Sequence, residues 1–137
     1  MKKNLLKTNC FDVNKKMIII GSCLENMFPS IYKKLEQEST NIYEVCLEET
    51  HLNMVITKIA GMLARNDIKE IKFVTIDKSP HCVQLHYVVK ELENIMDLEK
   101  IHIENYVATS EGLIEVPLKV IGLSKNLAKL SEMIKEK

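Results

Sequence analysis

Residues 75–87, "TIDKSPHCVQLHY", place a proline, two histidines and a cysteine where an apolar run gives way to a helical pattern. Ser79 suits a helix N-cap and Pro80 a first helical position, where a missing N–H costs little. That register predicts Cys82 in the first turn, where unpaired N–H groups and the helix dipole favour a thiolate. His86 follows four residues on, along the same side of a helix, so Cys82 and His86 are spaced to share a proton or chelate a metal. Cys82 is therefore the candidate nucleophile, with His86 or His81 as its base.

Two further thiols join it through chain order. Gly21, Ser22 and Cys23 follow the run "MIIIG", and Cys46 stands near the end of "NIYEVCL". In open α/β sheets the functional crevice lies beyond the carboxyl ends of the strands. Cys23, Cys46, Cys82 and His81 then form a candidate metal or redox cluster at one sheet edge, with the N–H groups of Ser22 and Cys23 as a candidate cofactor or anion site. Cys10 precedes the first strand and is left out. A bland reading stands beside this one. Cysteine is among the most buried residue types, and Cys46, between Val45 and Leu47, reads first as a small hydrophobe. His81 and His86 read equally as solvated or hydrogen-bonded helix residues.

The elements that must position these groups are legible from periodicity. Residues 17–21, 41–47, 71–77 and 100–107 are short apolar, β-branched runs of the kind that form strands covered on both faces. Between them, Met27, Phe28, Ile31 and Leu35 recur at helical spacing, with Pro29 in the first turn, and Leu52, Val55, Ile59, Met62 and Leu63 make a second stripe. A third runs through Leu85, Val88, Val89, Leu92, Ile95 and Met96. After Gly112, residues 113–123 read as an added edge strand, antiparallel, with Pro117 near its middle. Ser124 is set to cap a last helix carrying Leu127, Leu130, Met133 and Ile134. Such alternation predicts a single α/β domain over residues 1–137: a three-layer sandwich with a mainly parallel sheet, flavodoxin-like or Rossmann-like, in which residues 1–15 form a loose N-terminal arm.

Composition narrows the function classes. The 137 residues carry 19 basic and 19 acidic side chains, and only 5% are aromatic, with no Trp. No net field draws nucleic acid, and stacking platforms are few, so neither a nucleic-acid partner nor a membrane partner is expected. The basic start "MKKNLLK" has no apolar continuation, and the four scattered cysteines suit a reducing compartment, so a cytoplasmic location is expected. There is no C-x-x-C, no G-x-G-x-x-G and no Walker motif, which argues against a thioredoxin-type pair and against dinucleotide or P-loop binding.

As an ordered set, the cysteines after the first three strands, the "SPHCVQLHY" segment and the later "HIENYVATSEG" resemble the iron-sulphur delta subunit of methyl-viologen-reducing hydrogenases, over residues 17–112. The resemblance implies a [2Fe-2S] cluster, electron transfer between partner proteins, and Cys23, Cys46 and Cys82 as ligands. The family carries paired cysteines where this chain has single ones, so His81 or His86 would have to complete the set, or a zinc ion with Cys and His ligands would take its place. Three readings follow: a redox or metal-binding accessory domain with a protein partner, a thiol enzyme built on Cys82, and a non-catalytic interaction domain. A homodimer through the edge strand is a further expectation.

Overall fold

Three consecutive isoleucines, Ile18, Ile19 and Ile20, have no solvent-exposed surface. Alternate side chains of a strand point to opposite faces, so total burial of all three requires cover on both sides of the sheet. A computed structural model, which describes residues 2–135, shows how that cover is built; Met1 and the last two residues of the expected domain lie outside the described residues.

The strands are β1 (Lys3–Asn4), β2 (Lys16–Gly21), β3 (Ile42–Val45), β4 (Glu70–Ile76), β5 (His102–Thr109) and β6 (Gly112–Glu115). They form one six-stranded sheet in the order β1-β3-β2-β4-β5-β6, parallel except where β6 returns against β5. Counted from β2, strands β2 to β6 run in the flavodoxin-like order 2-1-3-4-5, with the fifth at the edge and antiparallel. Register is held by pairs such as Gly21 with Val45 and Ile20 with Val74.

The helices are α1 (Leu24–Met27), α2 (Pro29–Glu38), α3 (Leu52–Arg65), α4 (Val88–Glu93), α5 (Leu118–Ser124) and α6 (Leu127–Lys135), with a 3-10 turn over Cys82–Tyr87 leading into α4. One sheet face, through Met17, Ile19, Tyr43 and Phe73, packs on α3, the 3-10 turn and α4. The other, through Ile18, Ile20, Ile42 and Val74, packs on α1 and α2 by way of Leu24, Tyr32 and Leu35. At about 1.5–3 kcal/mol for each fully buried aliphatic side chain, these two clusters hold the sandwich together.

Four local expectations need correction. The arm expected over residues 1–15 is docked where it is described, from Lys2 on: β1 pairs with β3, and Leu5 is fully buried against the first face. Pro29 begins a new helix, because the first stripe breaks at Phe28, whose φ of −136° and ψ of 66° are not helical. Residues 113–123 do not form one strand; β6 ends at Glu115, and Pro117, with φ −64°, precedes helix α5. Ser124 ends α5 and bonds the Ile121 carbonyl, while Asn126 caps α6 by accepting from the Lys129 N–H.

Candidate functional site: a thiol-lined pocket at the strand ends

Pairing of β2 between β3 and β4 brings three loops to one place. Gly21 ends β2 opposite Val45, and the Ser22 N–H donates to the Val45 carbonyl at 3.0 Å, carrying the ladder one residue past the strand. After β4, Lys78 takes a left-handed φ of 70°, turning the chain back over the sheet edge. Ser79 Oγ then accepts from the Cys82 N–H at 3.2 Å, a capping bond three residues long.

Between these loops lies a pocket of about 60 Å³ lined by Ser22, Cys23, Cys46, Glu48, His81 and Cys82, with Gly21, Val45, Leu47, Ser79 and Leu85 behind them. It sits at the carboxyl ends of β2, β3 and β4, next to the position where the chain reverses its direction of growth across the sheet, the usual place for a ligand in this architecture. The structure thus brings Cys23, Cys46, Cys82, His81 and Ser22 together. Cys10 is elsewhere, its sulphur packed against Gly61 of α3.

The thiols are not equivalent. Cys23 is exposed, whereas Cys46 and Cys82 are half-buried. A Cβ added at Gly21 would fall 2.8 Å from Cys82 Sγ, so that sulphur occupies the space a side chain at position 21 would need. Across the mouth, His81 Nδ1 lies 4.0 Å from Glu48 Oε2, both groups being well exposed.

His86 does not belong to the site. It is buried, it does not line the pocket, and both ring nitrogens are engaged: Nδ1 lies 2.8 Å from Asn105 Oδ1 and Nε2 2.7 Å from Thr75 Oγ1. With Asn105 presenting its carbonyl oxygen, Nδ1–H donates and Nε2 accepts from the Thr75 hydroxyl, which fixes a neutral tautomer. Burial pushes the His86 pKa down, the bond to Asn105 opposing it. The expected Cys82/His86 pair is therefore corrected: the turn is 3-10 rather than α at these residues, and the imidazole is committed to β4 and β5. The same geometry removes the dipole argument, since α4 begins only at Val88. Of the two N–H groups of the expected anion site, that of Ser22 is already paired with the Val45 carbonyl.

The fit of a [2Fe-2S] cluster or a zinc ion follows from the donor set. Each takes four protein ligands in a structural site. The pocket contains three thiols and one imidazole, yet among the described residues no three His, Cys, Asp or Glu side chains are gathered closely enough to hold a metal ion. As folded, the donors fit neither group, and no step is assigned to one.

Glu48, Thr75 and Asn105 escaped the sequence reading. Each had a signal: Glu48 stands two residues past Cys46, and Thr75 and Asn105 are polar residues inside otherwise apolar strands.

No helix among the described residues is long and apolar enough to cross a membrane. No curated protein and no solved structure matches the chain. A family model described as a Rossmann-like domain matches residues 11–137, in keeping with the parallel sheet and its two helical layers. On that match, which begins after β1 and takes in every pocket residue, the chain belongs to the Rossmann-like domain family.

Proposed function

We propose that this domain is a small cytoplasmic redox accessory protein that exchanges disulfides with a protein partner through the pocket thiols. The observation that carries this reading is the convergence of Cys23, Cys46 and Cys82, from three different strand ends, on one pocket at the usual ligand position of the fold. The four cysteines are free, as thiols in a reducing compartment are. Phosphate or dinucleotide chemistry is disfavoured by Glu25 in the first turn of the four-residue helix α1, by Glu48 in the pocket and by the absence of a glycine-rich loop.

The step balances as follows. Cys23, the exposed thiol, loses its proton and attacks one sulphur of the partner's disulfide, expelling the other as a thiolate. Cys46 or Cys82 then displaces the partner from Cys23, closing a disulfide within the domain. The domain loses two protons and two electrons, and the partner's disulfide becomes two thiols. His81, at the mouth, is placed to receive a proton.

Equilibration with a glutathione disulfide buffer, followed by alkylation and peptide mass mapping, tests this. The expected product has lost two hydrogen masses through a bond from Cys23 to Cys46 or Cys82, and Cys23→Ser does not form it. No intramolecular disulfide, with all four thiols alkylated alike, would overturn the reading. Stoichiometric zinc binding that is lost in Cys46→Ser would favour the metal-binding alternative, because thiolate donors are the ones a soft ion draws in.

A further inference from the structure

The two faces of the sheet are unequally covered. On the first face, α3, the 3-10 turn and α4 are joined by α5, whose buried Ile121 lines a small cavity with His86 and Val89, and which is tied down by the 3.1 Å contact of Ser124 Oγ with Tyr87 Oη and by Lys125 over the Tyr87 ring. The second face has only α1 and α2. Between α2 and the β5–β6 hairpin it is left with an open trough of about 530 Å³ lined by Met27, Phe28, Ile31 and Lys34 on one wall and by Thr109–Gly112 on the other. Tyr106 and Leu113 pack in the same cluster as Phe28 and Ile31, on that face.

Helix α6 is the counterpart of that vacancy. None of its described residues is buried, yet Leu127, Leu130, Met133 and Ile134 form one apolar stripe, with Leu127 75% and Ile134 72% exposed. At about 100° per residue, Lys129 borders the stripe beside Met133, while Glu132 and Lys135 lie round on the polar side. Opposite charge stands on the hairpin wall of the trough, while Lys34 stands on the α2 wall. Glu111 lines it, and Glu115 pairs with Tyr106 and so projects to the same face. Lengths agree as well: nine helical residues and four strand residues each span about 14 Å.

The chain cannot fill its own trough. Helices on opposite faces of a sheet have axes roughly 20 Å apart, given a helix diameter of about 10 Å. The step from Ser124 to Leu127 spans about 11 Å at full extension, too little while Ile121 stays buried.

We propose that two copies of the chain pair reciprocally, α6 of each filling the trough between α2 and the β5–β6 hairpin of the other. Two-fold symmetry makes each such contact twice over, and a specific interface of this kind needs about 1,200 Å² in total. The arrangement differs from pairing through the β6 edge, because it uses the face of β6 and leaves its free edge open.

Light scattering and sedimentation equilibrium on the full chain test it. The expected mass is twice 15.8 kDa. Ile134→Glu, at an exposed position, should give a folded monomer by circular dichroism. Reversing Lys129 to Glu, or Glu111 and Glu115 to Lys, should weaken the dimer about tenfold, and combining these changes should restore it. A monomer at all concentrations would overturn the proposal, as would a dimer that survives Ile134→Glu. Helix reversal that the glutamate reversals do not rescue would also overturn it, by showing α6 paired with something other than the trough.

Discussion

Cys82 and His86 lie four residues apart on one 3-10 turn and meet opposite surroundings. At its start, Cys82 is half-buried, packs its sulphur against the bare Cα of Gly21 and opens onto a pocket with two other thiols. Near its end, His86 is sealed among β4, β5 and α5, with each ring nitrogen bonded to a buried polar side chain. Closure of that network explains why the turn can carry a pocket at its other end. A segment that presents reactive groups needs a rigid attachment, and a satisfied polar triad in low dielectric supplies one. The difference also separates two kinds of polar residue: one serves the fold, the other faces the pocket.

The largest effect should come from breaking the anchor. Asn105→Ala leaves the His86 N–H without its acceptor in a buried site and is expected to cost about 2–3 kcal/mol, measured by urea unfolding. At the pocket end the effect should be smaller and conditional. Gly21→Ala forces the Cys82 sulphur from its place, at a cost of about 1–2 kcal/mol. Adding Cys82→Ala should recover most of that loss, so the double variant should be markedly more stable than the sum of the single changes.

Smaller again is the pH response of the anchor. Burial lowers the His86 pKa below its ordinary 6.5, so beneath pH 6.5 the unfolded chain binds more protons than the folded one. Stability is then full above pH 6.5 and falls as pH drops below it, until the lowered folded value is passed. Melting curves from pH 7.5 to 5 should show that slope, and His86→Gln should flatten it; an unchanged slope in the variant would assign the titration to another group. Least disruptive is the order of alkylation. Cys23 should react with iodoacetamide before Cys46 and Cys82, read by timed mass mapping, with no loss of stability.

Much of the fold was readable from period alone. Strands β2 to β5 are apolar runs bounded by turn residues, and α3 announces itself by a stripe from Leu52 to Leu63. The misreadings fall where local signals compete. Residues 118–122 are as apolar and β-branched as a strand, but Pro117 starts a helix there because Ile121 finds burial against the first face. Lys72 sits within β4, almost fully buried, because Glu38 of α2 accepts from its ammonium at 2.8 Å and Tyr106 stacks beneath it at 5.0 Å. Neither partner is near it in sequence.

The sequence by itself determined the α/β class, the alternation of strand and helix, and the appearance of Cys23, Cys46, His81 and Cys82 just past strand ends, since each follows from short-range periodicity and chain order. Tertiary structure alone decided which polar groups are spent. Helical spacing made His86 a partner for Cys82, yet β4 and β5 held acceptor and donor for both its nitrogens, and β3 took the Ser22 N–H. Hydrogen-bond partners that meet across a sheet are separated by up to dozens of residues, and a buried polar group takes whichever partner the packing presents.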